Sequence, residues 1–312
     1  MRLSDGMKIS LRRSKILVTG FPGFISLHLI RKIQKEKGRV FAIKEPSSIL
    51  SPLARQLVKN GLKVFDADIG NFKSVQRIIA KVRPTIIFHL AAYTNAERNA
   101  DVFDQCLKTN IQGTLNLLLA LEEIPYKSFI NISSVEAYGI ASQPVSPYGI
   151  SKLAAENICN FFHKIYHRPT VNLRLPMVYG EYQPVHKIIP SLVLPLLKQR
   201  TIKMTSGEQT RDFIYVEDAV EAFIKAVENK RAFGETIGIG SGREISIKKL
   251  ALKILEYTGS SSKIRFGALP TKQGEIMRAR VSVRKAGKIL GWKPKTSLKT
   301  GLKKVIKQLS SP

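Results

Sequence analysis

The chain has 312 residues, 44% of them apolar, enough to bury one large core or two smaller ones. No 18-residue stretch is free of charge, which excludes a membrane-spanning helix of ordinary type, and Cys106 and Cys159 are too few for a disulfide scaffold. With 51 Lys and Arg against 23 Asp and Glu, the formal net charge is +28, and after Glu275 there are eleven basic residues and no acid.

Such a surface draws anions by its field. No RNP pattern, zinc spacing or helix-turn-helix signal accompanies the charge, so nucleic acid is not the expected partner. The expected reading is a lysine-rich enzyme of phosphorylated substrates. The first fourteen residues are polar and basic with no apolar signal core, which fits a cytoplasmic protein.

Lys15 to Gly20 is a short apolar run ending in glycine, as in a buried parallel strand. Gly20-Phe-Pro-Gly23-Phe-Ile-Ser26 follows, then an amphipathic stretch from Leu27 to Glu36. Strand, glycine turn and helix in that order leave backbone amides and a helix dipole facing a pyrophosphate. Ser26 stands where such turns usually close on glycine or alanine. Arg39 to Lys44 reads as the second strand. A cation at its end beside Ser47 and Ser48 suits a ribose 2′-phosphate, which favours NADP(H). Glu45 keeps NAD(H) open, and a merely solvated Lys44 is the plain alternative.

Leu62 to Asp68 reads as a third strand, with Asp68 placed for an adenine amino group, and residues 71–82 as a helix. Thr85 to Ala92 is a strand ending in small residues, 101–123 carries helix signals, and Ser128 to Ser134 is another strand. This alternation predicts an α/β fold, a doubly wound parallel (Rossmann) sheet, with ligands at the carboxyl ends of its strands. The expected division is a dinucleotide-binding domain over 12–175 and a smaller C-terminal substrate-binding domain over 176–312. A strand near 235–240 is expected to return to the first. No metal site is expected.

Tyr148 and Lys152 are four residues apart, hence on one helical face one turn apart. A neighbouring ammonium favours phenolate, and a tyrosine tuned toward neutral pH can exchange a proton with an alcohol or ketone. An exposed helical pair is the plain alternative for an isolated Tyr-x-x-x-Lys.

The order of the blocks resembles the extended short-chain dehydrogenase/reductase family of nucleotide-sugar epimerases, dehydratases and ketoreductases. The resemblance is carried by Thr19-Gly-Phe-Pro-Gly-Phe-Ile, His89-Leu-Ala-Ala, Asn110, Ser133-Ser-Val-Glu-Ala-Tyr-Gly139, Tyr148-Gly-Ile-Ser-Lys152, Arg174-Leu-Pro-Met-Val-Tyr-Gly180 and Arg211-Asp-Phe-Ile-Tyr-Val-Glu-Asp218.

It implies that Tyr148 is the acid/base, that Lys152 lowers its pKa and bonds the nicotinamide ribose, and that Ser134 bonds the substrate oxygen where charge develops. Asn110 would support the lysine region; a helix-bending polar residue is the alternative. Gly20, Gly23, Phe24, Ile25, Asp68, Ile69, Leu90, Ala91, Ala92 and Pro176 would join Lys44, Asn110 and Lys152 around the cofactor. Tyr93, Arg211 and Lys272 would contact a nucleotide-sugar substrate, Arg211 gripping its diphosphate unless it merely pairs with Asp212. Glu136 is either a base, as in the 4,6-dehydratases, or a polar wall of the sugar pocket; Val135 replaces the second acid or hydroxyl that dehydratases often carry. Met177 replaces a substrate-touching asparagine. The resemblance is nearest to ketoreductases of 4-keto-6-deoxy sugars, with 4-epimerase next and dehydratase third. It also implies a homodimer built on helices near 102–122 and 151–167.

Overall fold

The computed structural model describes residues 11–95, 97, 99–139, 143–271 and 274–310. Seven parallel strands form the main sheet: β1 (Lys15–Phe21), β2 (Arg39–Lys44), β3 (Lys63–Asp66), β4 (Ile86–His89), β5 (Ser128–Ser134), β6 (Thr170–Leu175) and, far along the chain, β10 (Thr236–Gly238). Their spatial order is β10-β6-β5-β4-β1-β2-β3. The chain therefore winds outward from β1 in one direction, then crosses to β4 and winds the other way. The crevice at that reversal is where ligands of such sheets bind.

Both faces of the sheet are covered, which is why β1, β2 and β4 carry consecutive apolar residues rather than alternating ones. Ile16 and Val18 point into one core and Leu17 into the other. The first core is closed by α1 (Phe24–Lys35), α2 (Pro52–Lys59), α8 (Val216–Glu228) and α10 (Arg284–Leu290). The second is closed by α3 (Phe72–Val82), α5 (Gly113–Ala120) and α6 (Pro147–Tyr166). Thus α8, β10 and α10 return from the C-terminal half to the main sheet. Trp292 is buried in the first core, and its indole N–H donates to the Asp218 carbonyl at 3.1 Å.

A third core lies under α7 (Ile188–Leu197), α9 (Ile247–Thr258) and α11 (Leu298–Ser310), against β7 (Met177–Tyr179) and β9 (Thr210–Tyr215). Short strands β11 (Glu244–Ser246) and β13 (Arg278–Ala279) flank β9, while β8 (Ile202–Lys203) pairs with β12 (Ile264–Arg265). The helix starts follow local chemistry: the hydroxyls of Ser51, Ser146 and Ser246 and the Asn71 side chain each accept from the first-turn backbone. Between Cys106 and Gln112 the helix leading into α5 widens to a π turn, and Asn110 sits in it. No described helix is long and apolar enough to cross a membrane.

Candidate active site

The glycine turn brings the ends of β1 and β4 into backbone contact. Gly20 has φ +80, and a Cβ there would lie 2.6 Å from the Ala91 nitrogen, so only glycine fits. Gly23 precedes α1 and accepts no Cβ either, because one would meet the Gly20 carbonyl at 2.7 Å. The Ser26 hydroxyl donates to the Gly20 and Gly23 carbonyls at 3.0 and 2.8 Å, so the residue that departs from the usual glycine or alanine stitches the turn together. Phe24 and Ile25 open α1, so the helix itself supplies their amides no acceptor, as an anion site at a helix start requires.

Beneath the turn runs a directed chain of hydrogen bonds. The Ala91 amide donates to the Thr19 hydroxyl at 3.1 Å, which leaves that hydroxyl to donate to His89 Nδ1 at 2.8 Å. His89 Nε2 lies 2.9 Å from the Thr114 hydroxyl, which itself donates to the Asn110 carbonyl at 2.6 Å. The only tautomer consistent with both contacts carries its proton on Nε2. Burial drives the His89 pKa down to about 3, and the Lys152 charge adds to the effect.

Asn110 joins three elements. Its carbonyl oxygen accepts from the Tyr93 amide at 2.7 Å, and its amide donates to the Tyr93 carbonyl at 3.1 Å and to the Ser151 hydroxyl at 2.8 Å. It thus fixes the segment after β4 against the first turn of α6, beside Lys152.

Tyr148 and Lys152 lie on the first two turns of α6, started by Ser146 and Pro147. Burial pushes the Tyr148 phenol up to about 12; a hydrogen bond with Ser134 opposes this and the Glu136 charge adds to it. The expected lowering by Lys152 is not found in the protein alone: desolvation dominates, and Ser134 rather than Lys152 is what opposes it. Burial also lowers the Lys152 amine, to about 8, against the pull of Glu156. Glu156, one turn further on, is itself held by Arg174 through bonds of 2.7 and 2.5 Å.

Glu136 lies in the short 3-10 turn Val135–Ala137 that follows Ser134. Its amide donates to the Ser134 hydroxyl at 3.2 Å, and its carboxylate accepts from the Ser146 hydroxyl at 3.2 Å. The carboxylate thus braces the start of α6.

Lys44 is where the structure departs most from expectation. Its ammonium is almost buried and donates to the carbonyls of Glu45, Pro46 and Ser48 at 3.0, 2.9 and 3.2 Å, with Asp66 at 3.1 Å. These partners saturate its three donors, so it ties down the loop after β2 rather than presenting a charge to a 2′-phosphate. The Lys44 ammonium, so engaged, gives the NADP(H) preference drawn from it no support. Glu45 is exposed and bonds the amide and hydroxyl of Ser47.

Asp68 accepts from the Gly70 amide at 2.8 Å and pairs with Lys108 at 2.8 Å, and the Lys108 contact holds its pKa below the usual range. Ile69 is buried beside it in the second core. Leu90, Ala91, Ala92 and Tyr93 follow β4 and remain partly exposed along the crevice, and Pro176 separates β6 from β7. Met177 is 42% exposed at the start of β7. Arg211, on β9, donates to the carbonyls of Thr210 and Ile276 at 2.8 and 2.6 Å and pairs with Glu275. Asp212 instead accepts from Ser241 and Gly242. Lys272 lies outside the described residues.

Two site residues escaped sequence reasoning. Ser146 could have been found from the Ser-Pro pair that opens helices. Glu156 could have been found from its i+4 spacing to Lys152. No signal short of the fold brings Thr19 to His89.

A doubly wound sheet with a glycine turn at the β1–α1 junction, and Ser134, Tyr148 and Lys152 at the carboxyl ends of β5 and the start of α6, defines an extended short-chain dehydrogenase/reductase. The chain belongs to the NAD dependent epimerase/dehydratase family, whose model matches residues 16–240. It is 30% identical to the CDP-abequose synthase of Salmonella muenchen, over 94% of this chain and 97% of that one. It is also 30% identical to human dTDP-D-glucose 4,6-dehydratase, over 94% and 89%. The UDP-glucuronic acid 4-epimerase of Bacillus cereus, solved with UDP-glucuronic acid and NAD, superposes with a TM-score of 0.85 at 29% identity, over 95% and 98%. The chain is thus a nucleotide-sugar enzyme of the epimerase/dehydratase type.

Proposed function

We propose that the protein is an NAD-dependent enzyme that oxidises and re-reduces C4 of a nucleotide-linked hexose, a 4-epimerase. The carrying observation is the division of labour after β5: Ser134 bonds the Tyr148 phenol, while the Glu136 carboxylate is engaged by Ser146. A proton relay at one carbon needs the first pair. Elimination across C5 and C6 needs a further acid/base pair; Val135 supplies neither, and one oxygen of Glu136 already braces the start of α6.

The saturated Lys44 supports NAD over NADP, and the 4-epimerase superposed above was solved with NAD. The glycine turn, the α1 amides of Phe24 and Ile25, Asp68, Ile69, the Leu90–Ala92 edge, Asn110, Pro176 and the ammonium of Lys152 would hold the dinucleotide. The chemistry that bound NAD supplies is reversible hydride transfer. Tyr148 moves the C4 hydroxyl proton at its phenol oxygen, and Ser134 steadies the substrate oxygen as charge develops there. Tyr93 and Arg211 would line the substrate side, Arg211 exchanging its Glu275 partner for the diphosphate.

The resemblance to a CDP-abequose synthase favours a second reading, a 4-ketoreductase that takes its hydride from an exchanging cofactor. The exposed Phe161, Ile165 and Tyr166 on α6, with Leu107 and Leu119 on the neighbouring helices, support a homodimer through this face.

The deciding experiment denatures the purified protein, identifies the released nucleotide, and offers UDP-hexoses without added reductant. Stoichiometric NAD and interconversion of the C4 epimers are expected. A site that is empty as purified, with NADPH consumed on a 4-keto sugar nucleotide, would overturn the epimerase in favour of the reductase.

A further inference from the structure

A cavity of about 660 Å³ opens on the α6 side of the sheet, beyond the edge formed by β6 and β10. Val135 and Tyr138, from the turn after Ser134, form one wall, and the segment running from Arg280 to Lys285 forms the other. That segment lies tight on the edge strand, since a Cβ on Gly238 would sit 2.5 Å from the Ser282 carbonyl.

Four cations line this space and no acid does: Arg174, Arg280, Arg284 and Lys285. Two are already neutralised, Arg174 by Glu156 and Lys285 by Glu235 at 2.7 Å. Arg280 and Arg284 are exposed and belong to no ion pair among the described residues; Arg280 acts on Glu244 only through space. General basicity does not account for this. A second cavity of the same volume, between α1 and α8, balances Arg31, Lys32 and Lys35 with acids that include Glu217, Asp218 and Glu221.

Guanidinium groups take phosphate oxygens in paired bonds, and two uncompensated ones line this small-molecule-sized cavity. Tyr138, 53% exposed with the Arg174 guanidinium 5.7 Å from its ring centre, offers a flat wall for a sugar or base. We propose that this cavity binds a phosphate-bearing small molecule at a site distinct from the catalytic cleft, held by Arg280 and Arg284.

The test is calorimetric titration of the NAD-loaded protein with inorganic pyrophosphate at fixed ionic strength. Wild type is compared with Arg280→Gln/Arg284→Gln, with Arg211→Gln in the catalytic cleft, and with Lys293→Gln/Lys299→Gln as a charge-matched control on exposed lysines. The paired arginine variant should bind at least about tenfold more weakly. The other two should keep that binding step, and the paired arginine and lysine variants should melt as wild type does because their altered side chains are exposed. Unchanged binding by the paired arginine variant overturns the proposal. So does loss confined to Arg211→Gln, or an equal loss in the lysine control.

Discussion

The amide of Asn110, held in a π turn, donates to the Ser151 hydroxyl at 2.8 Å, one residue from Lys152. The same side chain closes two bonds on the Tyr93 backbone, so one residue sets the spacing between the cofactor crevice and the catalytic helix. Replacing it with leucine removes a partner from the part-buried Tyr93 amide and carbonyl, while the Ser151 hydroxyl keeps its bond to the Tyr148 carbonyl. Asn110→Leu should lose about 1–3 kcal/mol for each group left unpaired, by denaturant titration, together with a fall in kcat. A variant of full stability and activity would show that this clamp carries no strain.

Tyr148→Phe keeps the ring and removes the proton-carrying atom. Turnover should drop roughly 10²–10⁴-fold, the usual worth of a positioned acid or base. Equilibrium dialysis should still find NAD bound. Wild-type turnover in this variant would remove the phenol from the reaction.

Lys152 links activity to stability with opposite signs. Its folded pKa of about 8 lies below the ordinary 10.5, so folding disfavours its charge. That cost is present in full below pH 8 and disappears between 8 and 10.5, where the unfolded chain binds the extra proton. Measured against Lys152→Met, wild-type stability should therefore climb across that window while activity that needs the ammonium declines. A stability difference independent of pH would contradict the buried, lowered amine.

Lys44→Met tests the reading of the loop after β2. Three carbonyls lose their shared donor, for an expected cost of roughly 1–2 kcal/mol. The ratio of NAD to NADP affinity should stay as in wild type. A marked shift of that ratio would return Lys44 to the cofactor site.

Glu136→Gln keeps a polar partner for Ser146 and removes the charge. Initial rates should change little for a 4-epimerase or a simple reductase. Near-complete loss would make the carboxylate a reacting group and bring elimination back as the reaction.

The sheet was legible because burial on both faces writes itself into β1 and β4 as the consecutive apolar residues Ile16 to Val18 and Ile86 to Phe88. The glycine turn was legible because close backbone approach permits so few residues at Gly20 and Gly23. Lys44 resisted reading for a reason no linear pattern contains: its side chain folds back onto three carbonyls of the following loop, those of Glu45, Pro46 and Ser48. The pKa of Tyr148 was misjudged because spacing records which charge is near and not how much water has gone. The Asn110 clamp and the Thr19–His89 contact, 70 residues apart in the chain, exist only once β1 and β4 are neighbours.

The row of donors from Ala91 through His89 to Asn110 runs one way, and its histidine cannot take a second proton above about pH 3. Across any pH at which the enzyme could be assayed, that row neither reverses nor breaks. This row therefore keeps its protons where they are while Lys152 titrates, and adds no step of its own to the enzyme's rate–pH curve.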